Sequence, residues 1–213
     1  MSDTPPKPGP LPAHVYARQR NWQGYFDALA TLPPRDTLLR ALALRDGSAG
    51  HALDVGCGDG RDAAHLASLG WTVLALDSSE EGLRRLRDRL SDDTRPRVRT
   101  QLAPFDRMEL EPADLVCASF SLPFCEPAQF PALWEAITTS LRPGGLFAGQ
   151  LFGDRDDWAT LPDRTHHSPG AARSLFRDFD ILFWQEEDRA SRVDPARHPK
   201  HWHVYHIVAR KLA

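Results

Sequence analysis

Residues 53–60 read L-D-V-G-C-G-D-G: three glycines at alternate positions behind the strand-like run H-A-L-D-V. Helical periodicity begins at Arg61, so the segment is the junction of a parallel strand with a helix. A tight turn of that kind needs one glycine, or two. Three at alternate positions permit positive φ and bring bare main chain against a ligand. In an open parallel sheet such a ligand lies beyond the carboxyl ends of the strands, where strand order reverses.

The rest of the pattern fits that frame. Apolar runs at 51–55, 72–76, 98–103, 113–119 and 145–152 alternate with helical periodicity at about 61–69, 79–91 and 129–141. Two final runs, D-I-L-F-W-Q-E-E-D and H-W-H-V-Y-H-I-V-A-R-K, have no helix between them and predict an antiparallel edge hairpin. The expected fold is α/β: a doubly wound, Rossmann-like, mostly parallel seven-stranded sheet with that hairpin at its C-terminal edge. At 213 residues and 41% hydrophobic, the chain has room for one full core. Residues 1–13 hold five prolines and predict a flexible arm, leaving 14–213 as a single domain. Within it, 14–47 is a helical lid and 48–213 a ligand-binding core. The lid's first helix carries Tyr16, Trp22, Tyr25, Phe26 and Leu29, and Pro33-Pro34 stops it. Its aromatics either close over a ligand or pack the core. A second helix, D-T-L-L-R-A-L-A-L, runs to an Asp46-Gly47 turn.

Composition narrows the partners. A net charge of -3 gives no global attraction to nucleic acid or anionic lipid. The locally basic stretch 84–99 carries Leu83, Leu86 and Leu90 at helical spacing beside Asp88, Asp92 and Asp93, with no interleaved aromatics. It reads as a solvated helix face. No apolar stretch approaches the roughly 18 residues that span a bilayer. The opening M-S-D-T-P-P-K-P-G-P has no apolar signal region, and Cys57, Cys117 and Cys125 fit no secreted disulfide framework. The expected setting is a reducing cytoplasm; oligomeric state is open.

The ligand's chemistry follows from what surrounds the glycines. A dinucleotide fingerprint is G-x-G-x-x-G facing a pyrophosphate. Here the spacing is G-x-G-x-G, and Asp54 and Asp59, which flank or enter the loop, would repel a pyrophosphate. They suit a ligand with a cationic portion. Gly-Lys-Ser/Thr is absent, which excludes a Walker loop, and no Tyr-x-x-x-Lys supports a nicotinamide dehydrogenase. Asp77 ends the run T-V-L-A-L-D, seventeen positions after Gly60. A carboxylate there can accept both hydroxyls of a ribose. Its alternative role is a helix N-cap, yet Ser78 and Ser79 are available, with Ser78-x-x-Glu81 reading as a capping box.

L-D-V-G-C-G-D-G-R, the strand-end Asp77, D-L-V-C-A-S at 114–119 and L-R-P-G-G at 141–145 together resemble the class I S-adenosylmethionine-dependent methyltransferases, over about residues 50–152. G-C-G-x-G-R, the aromatic N-terminal helix and the ending H-I-V-A-R-K look most like the tellurite-resistance methyltransferases and their small-molecule relatives. The resemblance implies S-adenosyl-L-methionine as cofactor and a small-molecule acceptor. The first expectation is a chalcogen oxyanion, tellurite or selenite, or a thiol-like soft nucleophile. An amine- or protein-directed methyltransferase, or a non-catalytic S-adenosylmethionine-binding protein, remain alternatives on the same fold. By resemblance, the backbone of Gly56, Cys57 and Gly58 lies against the methionine moiety, Asp54 approaches its ammonium and Arg61 its carboxylate. Asp77, with Ser78 beside it, serves the ribose. Ala103, Pro104 and Phe105 reach the adenine edge, where many relatives carry an acid that here comes late, at Asp106. Ser119 lines the pocket beneath the transferred methyl.

No catalytic motif is visible, as expected where a pre-activated methyl needs only an aligned nucleophile. For the acceptor, His203 aligns by resemblance with a substrate-side arginine and is expected at the pocket mouth, near Arg155. An arginine there can hold an oxyanion. Gln150 and Trp158 lie close in sequence to that site. F-S-L-P-F at 120–124 loosely resembles the (Asn/Asp/Ser)-x-Pro-aromatic signature of amine methylation. His201 and His203 share a strand face, but no third ligand follows at orderly spacing, so no metal is expected.

Overall fold

The computed structural model describes residues 11–45 and 47–212. Most of the expected N-terminal arm, and Asp46 of the expected turn, lie outside the described residues. In chain order the elements are α1 (Ala13–Arg18), α2 (Trp22–Leu29), α3 (Asp36–Leu44), β1 (His51–Val55), α4 (Arg61–Ser68), β2 (Thr72–Asp77), α5 (Glu80–Arg89), β3 (Val98–Leu102), β4 (Ala113–Ala118), α6 (Phe130–Ser140), β5 (Leu141–Gly153), β6 (His166–His167), α7 (Pro169–Ser174), β7 (Phe179–Ala190) and β8 (His201–Lys211). Among the described residues, no helix is long and apolar enough to cross a membrane.

The sheet runs β3-β2-β1-β4-β5-β8-β7. Strands β1 to β5 are mutually parallel, and β8 pairs antiparallel with both β5 and β7. Order reverses between β1 and β4, so their carboxyl ends frame the crevice where an open α/β sheet binds its ligand. Strand alternation divides the core. Leu53, Val55, Val116 and Phe147 pack beneath α6 and α7, whereas Ala52, Leu115 and Cys117 pack with Leu38, Leu66 and Leu86 of α3 to α5.

Several local expectations need correction. The sheet has eight strands because two-residue β6 pairs with the end of β5. The single aromatic N-terminal helix is two: Arg20 adopts a left-handed φ of 54°, and the Asn21 side chain accepts the Gly24 N–H (3.0 Å) to start α2 anew. Tyr16 therefore lies on α1, and Trp22, Tyr25, Phe26 and Leu29 on α2. Ser79, not Ser78, caps α5 by accepting the Gly82 N–H (3.1 Å), and Glu81 turns to Arg84 and Arg85. β5 begins before the Pro143-Gly144-Gly145 turn, which is absorbed as a register shift against β4, with Gly144 at φ 78°. Sequence reading missed α7, which Ser168 caps ahead of Pro169.

Candidate functional site

The loop after β1 is held in place by its own neighbours. The N–H groups of Gly56 and Cys57 both donate to the Leu76 carbonyl (2.8 and 3.0 Å), and Gly58 N–H donates to Asp77 Oδ2 (2.7 Å). All three glycines adopt positive φ. At Gly56 a side chain would collide with Ser121, and at Gly60 with Leu86. Asp77 has a second local duty, since its Oδ1 accepts the Ser79 N–H (2.7 Å). A carboxylate oxygen has two lone-pair sites, so each still has one to offer.

A cavity lies over this loop. Of the residues expected at the cofactor, Asp54, Gly56, Cys57, Gly58, Arg61, Asp77, Ser78, Phe105 and Ser119 line it. Ala103, Pro104 and Asp106 do not line it, and Met108 joins Phe105 instead. Helix α2 roofs it with Trp22, Tyr25, Phe26 and Leu29, and Phe26 lies against Gly58.

The lining carries four carboxylates, Asp54, Asp59, Asp62 and Asp77, against three arginines, Arg20, Arg35 and Arg61. Asp54 is almost fully buried, and burial, then the charges of Asp62 and Asp77, push its carboxyl well above the usual range. Burial also raises Asp77, against hydrogen bonds from Gly58, Ser79 and Ser78. Asp62 is engaged twice, by the Arg35 N–H (2.9 Å) and the Ser119 hydroxyl (2.6 Å). Asp59 lines the chamber and is also ion-paired with Arg89. Three buried side-chain atoms of the lining have no hydrogen-bond partner: Arg35 Nε, Asp54 Oδ2 and Arg61 Nη1. Burial, foremost, and Arg35 lower the Arg61 pKa. An unpaired buried carboxylate and an unpaired buried guanidinium fit the ammonium and the carboxylate of an amino-acid ligand. Burial holds the Cys57 thiol well up, so that residue supplies main chain rather than a nucleophile.

A second chamber adjoins the first. The two share Tyr25, Leu29, Arg35, Phe120 and Phe124. Beyond that wall the second chamber is aromatic. Phe152, Trp158 and Trp202 line it with their ring centroids 5.4–6.0 Å apart. Beneath Trp158 and Trp202 lies the buried ammonium of Lys200, 4.6 and 4.3 Å from their ring centroids and ion-paired with Asp156. Phe120 has a left-handed φ of 55° and is locked by buried Gln150, which accepts its N–H (2.9 Å) and donates to Thr37 (2.9 Å). The Ser121 hydroxyl, expected by the amine-methylation reading to meet an acceptor, donates to the Val55 carbonyl.

His203 and Arg155 do not enter either chamber. On β8, Trp202 and Val204 face α1, whereas His203 and Tyr205 face the other side of the sheet. The expected pairing of faces holds, but the face carrying His203 is turned away. His203 is fully buried over Gly153, with Nδ1 accepting the Arg155 N–H (3.0 Å) and Nε2 2.9 Å from Glu186. The Arg155 guanidinium is half-exposed and spans Glu186 and Asp188, each at 2.7 Å. Glu186, Asp188 and His203 bring ligand-type atoms within 4.8 Å of one another, but the cation among them is Arg155. Of the acceptor candidates, Trp158, the lid's Tyr25, and Phe120 and Phe124 of F-S-L-P-F line the second chamber; Arg35, Phe152 and Trp202 were missed. The one signal for them was the Trp202-Val204 face of β8.

The doubly wound fold and the glycine-loop chamber are similar to those of S-adenosylmethionine-dependent methyltransferases. More narrowly, residues 52–145 match the methyltransferase-domain family. An uncharacterized methyltransferase of Synechocystis sp. is 34% identical over 110 residues, covering 52% of this chain and 50% of that protein. The chain thus spans about half the length of the curated relatives it matches. TehB from Haemophilus influenzae superposes with a TM-score of 0.70 at 17% identity, covering 89% of this chain and 67% of TehB. The 1,6-didemethyltoxoflavin-N1-methyltransferase of Burkholderia thailandensis, solved with 1,6-didemethyltoxoflavin and S-adenosylhomocysteine, superposes with a TM-score of 0.62 at 24% identity, over 99% of this chain and 93% of that one.

Proposed function

We propose that the chain transfers a methyl group from S-adenosyl-L-methionine to a small molecule seated in the aromatic chamber. The observation that carries this reading is the shared wall: a glycine-loop chamber with an unpaired carboxylate and guanidinium opens, past Phe120 and Arg35, onto a second chamber. Asp54 would take the cofactor's ammonium, Arg61 its carboxylate and Asp77 its ribose hydroxyls, while Phe105 and Met108 flank the adenine. The bound cofactor supplies a methyl already activated by its sulfonium. The protein then has to orient an acceptor lone pair in line with that methyl and keep water out. The aromatic walls and the α2 roof do both. A neighbour solved with a small molecule and S-adenosylhomocysteine supports the same division of labour.

A chalcogen oxyanion, the first expectation from sequence, keeps one supporting feature: Arg35 is a cation at the junction of the chambers. Calorimetry with S-adenosylhomocysteine, followed by a methyl-transfer screen over tellurite, selenite, thiols, amines and hydroxylated aromatics, decides between the acceptors. Binding of S-adenosylhomocysteine and turnover of at least one acceptor are expected. Tight NAD binding without S-adenosylhomocysteine binding would sink the proposal.

A further inference from the structure

We infer that the acceptor is a flat aromatic molecule bearing an acidic hydroxyl, held by Arg35 as the oxyanion at the junction of the two chambers. This rests on the methyl-transfer reading and names the acceptor class for it. Arg35 caps the start of α3, and its own N–H donates to Asp62 (2.9 Å). Its side chain leaves that anchor and lies across the shared wall, 4.7 Å from the Phe120 ring centroid, with Nη2 donating to the Tyr25 hydroxyl (3.1 Å). Its Nε is buried and has no partner. Among the described residues, no carboxylate comes within ion-pair distance of this guanidinium. A permanent cation with a buried, unpaired N–H, set in aromatic surroundings, calls for an anionic oxygen.

The remaining walls choose the rest of the molecule. Phe124, Phe152, Trp158 and Trp202 pack at tilted or T-shaped angles with ring centroids 5.4–6.2 Å apart, an aromatic lining that suits a flat, apolar body. A small, heavily hydrated oxyanion would surrender its water there for one guanidinium fork and little else. A protonated amine would meet Arg35 at the junction, and Glu187, the carboxylate lining the chamber, is paired with His206 (3.2 Å) and Arg189 (2.8 Å). A phenolic or enolic oxygen satisfies both halves. Its hydroxyl proton goes to water on binding. A lone pair of the oxygen then forms the C–O bond as the S–CH3 pair returns to sulfur, leaving a neutral thioether. No general base is required of the chain; the residues shared by the two chambers are Tyr25, Leu29, Arg35, Phe120 and Phe124.

The test uses 7-hydroxycoumarin and coumarin, two flat probes that differ by the hydroxyl, on the full chain saturated with S-adenosylhomocysteine. Binding is followed by fluorescence at a pH where the hydroxyl is ionised. The hydroxylated probe should bind at least about tenfold more tightly than coumarin, and Arg35→Gln should reduce it to coumarin's affinity. Equal affinity of the two probes for the wild-type chain overturns the oxyanion assignment without need of a variant. If neither probe binds while S-adenosylhomocysteine does, the aromatic acceptor is wrong and the cofactor reading stands. If S-adenosylhomocysteine itself fails to bind, both fall.

Discussion

The glycine-loop chamber and the aromatic chamber share a wall but are assembled by opposite routes. The polar floor of the first comes from one short stretch, between Asp54 and Ser78, with Ser119 added from the neighbouring strand end. Main-chain N–H groups, glycines at positive φ and a strand-end carboxylate do the work, all dictated by local sequence. The second gathers Ala17, Phe120, Phe152, Trp158, Glu187 and Trp202 from α1, a strand end, the β5 extension and the edge hairpin. Its polar floor is sparse and its walls are rings. The contrast teaches that recognition of a fixed cofactor is concentrated in one supersecondary unit, while recognition of a variable partner is spread over elements that meet only in the folded chain.

Three substitutions sharpen that contrast, from the largest expected effect down. Asp77→Ala should weaken S-adenosylhomocysteine binding by about hundredfold, since two charge-assisted ribose bonds of about 1.5 kcal/mol each are lost. It also frees the Gly58 and Ser79 N–H groups. Calorimetry on folded variant protein that returned wild-type affinity would break the cofactor half of the comparison. Gln150→Leu should cost about 1–3 kcal/mol in denaturant unfolding, because the Phe120 N–H is left buried without an acceptor. It should slow acceptor turnover while leaving cofactor affinity alone. A parallel loss of cofactor binding would show that the two halves are not separable.

The third substitution is read through pH. The Asp54 carboxyl is raised by burial and by Asp62 and Asp77, so the stability it contributes is full below the usual carboxylate range and lost as pH rises through the raised pKa. Binding an ammonium favours the ionised form, so cofactor affinity should fall as pH drops through that same raised pKa. Asp54→Asn should flatten this fall and raise the ligand-free Tm at neutral pH, with little change in acid. Titration calorimetry and thermal melts over a pH series check both signs. An Asn variant with an unchanged pH profile would remove Asp54 from the ammonium site.

How much was legible follows from the same contrast. Strands β1 to β4 and helices α3 to α6 were readable because each is announced by periodicity and by glycine, serine or proline at its ends. The break between α1 and α2 was not, because the left-handed residue there is Arg20 rather than a glycine or asparagine. β6 is too short to show a period, and it exists only because the end of β5 offers His166 and His167 a partner. At the site, Asp77, Gly56 and Gly58 line the chamber, as their place at strand ends predicts. His203 was misplaced for a different reason. Sequence tells which residues of a strand share a face but not which side of the sheet that face meets.

Gly153 carries a consequence for how such a chain can change over generations. A Cβ there would collide with the His203 ring, so β8 is seated with His203 over that gap and Trp202 on the chamber side. Inserting or deleting one residue between Lys200 and His206 would exchange the two sides, driving an indole toward Gly153 and an imidazole into the aromatic chamber. The connection at 191–200 can lengthen or shorten without that exchange, because it lies outside the paired strands. Diversification of what the chamber admits is therefore open to point substitution at Trp202 and Val204, and closed to length changes within the strand that bears them.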